Sequence, residues 1–374
     1  MPSPSLCLFE ENVGQGNDPD IRIFVRNARP HRSYSTSDRL VLWNRMVSLE
    51  TSVRFARPVT SPRPVIGLER WPGTVNRFSG PIERWRRAIP AYLRFRMPEV
   101  FPGIDLDVGF AGDGLELIYI VRPSADAAAV TLETGSRTEL LPAGEWRIAE
   151  STFNPATVSA PQAWQLFFSA RTDVAAAFRA LDRGRVAVDT SAYDRTQPLF
   201  IRVEVNAGAP PELTIASLSP APDGGLYAGG AVSSNAVCTV SPGATIYYCP
   251  DAIVLHINSR GEPVFLTVLS GSVEDEVHTV IFDVRRGDLV VAGSSASGDF
   301  AVSANAAQRE NAGPLGPRAR VSLMPVGDLF VARLDARSGD LRHSALIGTP
   351  DGDVPRDVAL RSVRRRDWPL ALRR

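Results

Sequence analysis

One pattern in the second half of the chain occurs twice, and it limits the fold more than anything else in the sequence. Asp251-Ala252-Ile253-Val254-Leu255-His256-Ile257 matches Asp328-Leu329-Phe330-Val331-Ala332-Arg333-Leu334. After one inserted residue, Gly261 aligns with Gly339, Leu269 with Ile347 and Asp275 with Asp353. Val280-Ile281-Phe282 then aligns with Val358-Ala359-Leu360. A second element recurs as well: Leu226-Tyr227-Ala228-Gly229-Gly230 matches Val290-Val291-Ala292-Gly293-Ser294. The spacing runs from 64 to 78 residues because the loops differ in length. Four short strands per unit is the pattern of a propeller blade. Such a unit cannot bury both of its faces alone, so units must stack.

The first half carries a different strand pattern. Ile21-Arg22-Ile23-Phe24-Val25, Ala91-Tyr92-Leu93-Arg94-Phe95 and the run from Leu115 to Val121 alternate or nearly alternate, the period of a half-buried strand. Gly112-Asp113-Gly114 is a hairpin turn signal before the last of these. Residues 172–181 predict the one helix, with Thr172 as its N-cap ahead of an alanine-rich stretch. Thirty prolines disfavour long helices elsewhere. The expected fold is all-β: a β-sandwich-like domain over residues 8–205, then an incomplete β-propeller of about two and a half blade units over 213–360. Residues 206–212, Asn-Ala-Gly-Ala-Pro-Pro-Glu, form the expected linker.

Composition excludes several chemistries. All 41 basic residues are arginine and balance 41 acidic ones, so the net charge is zero. A chain without lysine has no Schiff-base or P-loop lysine. Zero net charge argues against a nucleic-acid partner. No apolar run approaches the ~18 residues that cross a bilayer. The N-terminus has neither a positive n-region nor an apolar h-region, which predicts no secretory signal in the chain as written.

These residues resemble two known bacterial elements. Gly327-Asp328-Leu329-Phe330-Val331-Ala332-Arg333-Leu334-Asp335, Leu269-Ser270-Gly271-Ser272 and Asp288-Leu289-Val290-Val291-Ala292-Gly293-Ser294 resemble the SBBP β-propeller repeat. The first half resembles the domain of unknown function that precedes such repeats. The resemblance rests on Phe9-Glu10-Glu11-Asn12-Val13-Gly14-Gln15, on Val75-Asn76, Phe78 and Trp85-Arg86, and on Pro102-Gly103-Ile104-Asp105-Leu106. It extends to Tyr193-Asp194-Arg195. The resemblance implies a secreted or cell-surface protein with a β-sandwich-like front domain, a β-propeller behind it and no established enzymatic activity; binding of protein or glycan on exposed loops is the leading functional expectation. Residues 361–374 depart from the repeat: six of the 14 are arginine, and Trp368-Pro369 has no counterpart. A frame change or truncated gene accounts for that tail; a basic binding tail is the rival reading.

Candidate chemistry is sparse. The acidic turn Glu274-Asp275-Glu276, with Asp351 and Asp353 one unit later, offers oxygen ligands for Ca²⁺ without a dedicated loop spacing. Cys238 and Cys249 flank Ser241-Pro242-Gly243, and a disulfide there would contribute roughly 3 kcal/mol. The four histidines, His31, His256, His278 and His343, show no zinc-ligand spacing and read as structural. Gly293-Ser294-Ser295-Ala296-Ser297-Gly298 lacks the strand-turn-helix setting of a nucleophile elbow. Asp105, Asp107, Asp113 and Glu116 lie close along the chain, as a carbohydrate-active enzyme would need. Trp71, Trp85, Trp146 and Trp164, with Tyr92 and Phe95, read either as core or as an aromatic face for sugars. No catalytic residue and no cofactor is assigned.

Overall fold

A computed structural model describes residues 8–15, 21–26, 33–35, 39–44, 49–54, 65–111, 114–133, 138–148, 156–182, 184–206, 212–234, 249–313, 327–351, 353 and 358–360. The strands open with β1 (Leu8–Glu11), β2 (Ile23–Arg26), β3 (Ser33–Ser35), β4 (Arg39–Asn44) and β5 (Leu49–Arg54). Next come β6 (Ile66–Arg70), β7 (Thr74–Ser79), β8 (Arg86–Ile89), β9 (Ala91–Phe101), β10 (Ile104–Ala111) and β11 (Gly114–Val121). Short strands follow: β12 (Thr131–Glu133), β13 (Thr138–Leu140), β14 (Trp146–Ile148) and β15 (Ala156–Val158). The first half ends with β16 (Gln162–Phe167), β17 (Ala170–Val174), β18 (Ala176–Ala180), β19 (Arg185–Thr190) and β20 (Leu199–Asn206). The second half holds β21 (Glu212–Pro220), β22 (Leu226–Ser234), β23 (Cys249–Ile257) and β24 (Pro263–Ser270). It closes with β25 (Asp275–Asp283), β26 (Asp288–Ser295), β27 (Asp328–Asp335) and β28 (Leu341–Ile347). The protein is all-β, and the pairings of the front strands branch without closing into a ring.

The expected helix at residues 172–181 is instead two strands. Gln165 pairs with Thr172, and Ala176 to Ala180 pair with Val186 to Thr190. Alanine favours helix only weakly, by tenths of a kcal/mol (roughly) per residue. Alternation decides here: Phe178 turns into the core beside Val186 and Val188 while Ala177 and Arg179 face out.

The front unit centres on the antiparallel run β9–β10–β11–β20. Its inward residues, among them Phe95, Leu106, Tyr119 and Ile201, pack on Trp146, Phe178, Val186 and Val188 from a second layer. This is sandwich-like packing, with alternate residues of each strand meeting in the middle.

The two repeat units form two sheets. The second, β25–β26–β27–β28, is antiparallel throughout. The first, β21–β22–β23–β24, is extended by β7 and β8 from the front half. β24 runs parallel to β7, with Thr267 opposite Asn76 and Leu269 opposite Phe78. This hairpin crosses the expected boundary at 206–212. Its alternation explains why it fits: Val75 turns to Ile253, Leu266 and Val268, while Phe78 turns the other way to Phe265 and Leu269. The strands β22–β24 of the first repeat sheet are therefore buried on both faces, one against β1 and Trp71 and the other against the second repeat sheet.

Polar contacts fix this joint. Asn76 Nδ2 donates to Ser338 O at 2.7 Å, and Asn76 Oδ1 accepts from Ala88 N at 2.9 Å. Thr267 Oγ1 donates to Gly339 O at 2.8 Å. Glu10 and Arg77 form a buried two-pronged ion pair, both contacts 2.7 Å. Leaving either partner alone would strand a buried charge. Tyr227 Oη donates to Ala336 O at 2.9 Å, tying the first sheet to a hairpin of the second.

The sheets repeat one another in detail. Register shifts fall between His256 and Ile257 in β23 and between Arg333 and Leu334 in β27, positions the sequence alignment equates. The following hairpins share their capping: Asn258 Oδ1 accepts from Arg260 N, and Asp335 Oδ1 accepts from Arg337 N. The alignment of β22 with β26 needs a correction of one residue. Tyr227 pairs with His256 and Val290 pairs with Arg333, so Leu226-Tyr227-Ala228 corresponds to Leu289-Val290-Val291. A slip of one would exchange the two faces of the strand.

Candidate functional site

Corresponding positions of the two sheets have different surroundings. On the first sheet, Tyr227, Val254 and Phe265 are buried against the second sheet. Pairing carries these positions onto Val290, Val331 and His343, which lie on the outer face of the second sheet and are half-buried. Leu329 and Ile347 share that face. Val358-Ala359-Leu360 lies where the sequence places the start of a further unit.

A second open surface is the outer face of the front unit. Three cross-strand rows run over it. Asp105, Ile120, Phe200 and Trp164 form one row, and Arg96, Asp107, Ile118, Arg202 and Gln162 form the next. Gly109, Glu116 and Glu204 form the third, with Arg94 beside Gly109. Three of the four acids singled out from the sequence thus share one face; Asp113 lies outside the described residues.

Each of the three is held by arginine. Arg96 grips Asp107 through two contacts of 2.6 and 2.8 Å. Arg122 binds Asp105 at 2.8 Å and Glu99 at 3.0 Å. Arg94 and Arg202 meet on Glu116 at 2.6 and 2.5 Å, and Arg202 also pairs with Glu204. Burial raises the Glu116 pKa, but hydrogen bonds from the two arginines outweigh it and hold it below the usual carboxylate range. A general acid needs the opposite shift.

Trp164 stands at the edge of this lattice. It stacks on Phe200 at 5.7 Å and 12° between planes, and the Arg171 guanidinium covers it at 4.3 Å. The other aromatics named from sequence are mostly interior. Trp146 and Phe95 lie in the front core and Trp71 in the joint. Trp85 packs edge-on against Phe78 and donates to Gly80 O.

The acidic turns serve the backbone. Asp275 Oδ2 accepts from Gly271 N at 2.7 Å and from Ser297 Oγ at 2.9 Å. One unit later Asp353 Oδ2 accepts from Thr349 N at 2.7 Å, the same cap at the aligned position. Burial pushes the Asp275 carboxyl well above its ordinary pKa, and the Asp251 charge adds to this. Glu274 is buried, Glu276 lies 4.0 Å from His278 and Asp351 is exposed. Among the described residues no three such groups converge as metal ligands. Cys238 lies outside the described residues, as does the Cys249 side chain, so the disulfide expectation does too. His31 and the 361–374 tail also lie outside them. His256 sits in β23, 3.2 Å from Asp223 and with its ring tilted against Tyr227. His278 bonds Ser294 Oγ at 2.9 Å, and His343 lies in β28. Among the described residues no helix is long and apolar enough to cross a membrane.

A family model described as a domain of unknown function, DUF7948, matches residues 9–201. The chain belongs to the DUF7948 family. The match includes β7 and β8, so part of the DUF7948 segment lies in the first repeat sheet. No curated protein matches the chain.

Proposed function

We propose that the chain is a non-enzymatic binding module, secreted or displayed at the bacterial surface. It joins a DUF7948 unit, residues 8–205, to SBBP-type propeller repeats, residues 213–360, with the β7–β8 hairpin lent across the boundary. The outer face of the DUF7948 unit is the binding surface, and a glycan suits it best. The observation that carries this reading is the arginine–carboxylate lattice around Glu116 and Asp107. It is borne on strands, which fix its geometry, and planar guanidinium groups give directed hydrogen bonds. Trp164, Phe200 and Ile120 supply apolar area beside it. The same lattice argues against an enzyme of carbohydrate metabolism, because Glu116 at its centre is held below the usual carboxylate range, the opposite of what a general acid needs.

The equivalence of the two repeat sheets supports the propeller part. The outer face of the second sheet repeats the positions by which the first sheet receives its neighbour.

A glycan array probed with the intact chain tests the binding reading. Saturable binding is expected, reduced at least tenfold in the Arg96→Ala/Arg202→Ala double variant, which removes charge-assisted hydrogen bonds worth roughly 1.5–3 kcal/mol each. Release of reducing ends from a bound glycan would overturn the non-enzymatic reading. Absence of binding to every glycan would overturn the choice of ligand.

A further inference from the structure

The hairpin β16–β17 ends in two residues that a hairpin turn rarely tolerates. Phe168 has φ 46° and Ser169 φ 72°, both left-handed. Two-residue hairpin loops demand such angles and normally fill them with Asn-Gly. For a residue with a Cβ the conformation is sterically unfavourable. The ring held in this way is 107% exposed, so it contributes nothing to the protein's own core.

The surroundings say what the ring meets. Gln165 anchors the base, buried and donating to Asp194 O at 2.7 Å. Beyond it, Leu166, Phe167, Phe168, Ser169 and Ala170 carry no charge and one hydroxyl between them. A protein interface of ordinary kind carries about one hydrogen bond per 100–200 Å², and this apex has almost nothing to offer one. An acyl layer asks for none. The two strand steps from Gln165 to Phe167 reach about 7 Å at ~3.3 Å per residue, within the roughly 5–10 Å of interfacial burial. Arg171 pairs with Leu166, one position behind the apex, and its guanidinium is held 2.7 Å from Asp173. The collar is therefore neutral overall.

We propose that the β16–β17 apex inserts Phe168 into the interfacial layer of a zwitterionic lipid surface. Leu166 follows at the edge of that layer and Arg171 stays at the headgroup level. The attraction is apolar, so it depends little on salt or on anionic lipid.

Flotation of the intact chain with phosphatidylcholine vesicles at millimolar lipid tests this. Binding is expected in 50 mM and in 500 mM salt alike. Phe168→Ser reduces the partition coefficient about tenfold or more, since the apolar area that leaves water is lost with the ring. Ser169→Gly, which keeps the ring and relieves strain, leaves it unchanged. Phe168→Asn/Ser169→Gly reduces binding by the same factor as Phe168→Ser while raising the thermal midpoint, which separates loss of the ring from loss of fold. Leu218→Ser, at an exposed leucine of β21, leaves binding unchanged. No binding by the parent chain, equal binding by Phe168→Ser, or binding only to anionic vesicles would overturn the proposal, and the first result would redirect the ring to a protein pocket.

Discussion

The two repeat sheets have the same strand order, the same register irregularity and the same turn caps, yet they share little at the positions between them. Tyr227, His256 and Phe265 of the first sheet become Val290, Arg333 and His343 of the second. The first set forms a cluster of tilted rings, with Tyr227 4.5 Å from His256 and 5.5 Å between His256 and Phe265. In the second set Arg333 pairs with Asp288 instead. The strand frame is thus set by backbone pairing and turn chemistry. The side chains it carries are set by whether a neighbour lies against them.

The largest test of that contrast places a charge at one position in both sheets. Val254→Glu buries a carboxylate in a fully enclosed site and is expected to abolish folding, as a loss of cooperative thermal unfolding shows. Val331→Glu, at the corresponding half-buried position, is expected to destabilise by about 1 kcal/mol or less. Equal losses would mean that the outer face is covered.

Gly261 and Gly339 give a finer comparison. Their φ values are +80° and +72°. A Cβ on Gly261 meets nothing within 4 Å, whereas one on Gly339 falls 2.4 Å from Thr267 Oγ1. Gly261→Ala should destabilise by about 1 kcal/mol from the backbone alone. Gly339→Ala should add overpacking of roughly 1–3 kcal/mol. Urea denaturation of the pair reads the contact between sheets as the difference.

Asp275 and Asp353 give the smallest effect. The Asp275 pKa is raised by burial, so its ionised form opposes folding and the protonated form does not. Asp275→Asn should therefore match or exceed the parent's thermal midpoint at neutral pH, and the parent should gain on the variant as the pH falls through the raised pKa. Asp353→Asn removes an acceptor for Thr349 at a partly exposed turn and should lower the thermal midpoint slightly at neutral pH. A larger loss at neutral pH in Asp275→Asn than in Asp353→Asn would erase the distinction between the buried cap and the open one.

Local pattern predicted much of this fold. Alternation in residues 91–121 and the Asp-led repeats mark their strands, because side-chain period is a local signal. The 172–181 segment misleads because four alanines report a weak helix preference, while the deciding partner, β19, lies beyond the window. The one-residue slip between β22 and β26 has a similar cause: either register matches glycines, and only pairing to β23 and β27 chooses. Asp105, Asp107 and Glu116 are legible as neighbours, since they lie on adjacent strands of one hairpin. Arg202 is not, because it reaches Glu116 from 86 residues away. Phe168 gives no sequence warning; its exposure follows from a turn conformation that its residue type does not advertise.

The parallel pairing of β7 with β24 has a consequence in time. Asn76 and Thr267 are 191 residues apart. At a synthesis rate of about 5–20 residues per second, β7 leaves the ribosome roughly 10–40 seconds before the strand beside which it belongs. During that interval Val75 and Phe78 have no sheet to enter, and the β7–β8 hairpin offers an open edge to any other chain nearby. A parallel contact this distant in sequence is slow to form by its nature. The joint between the front half and the first repeat sheet is thus completed long after its first strand is made, and that strand needs protection until then.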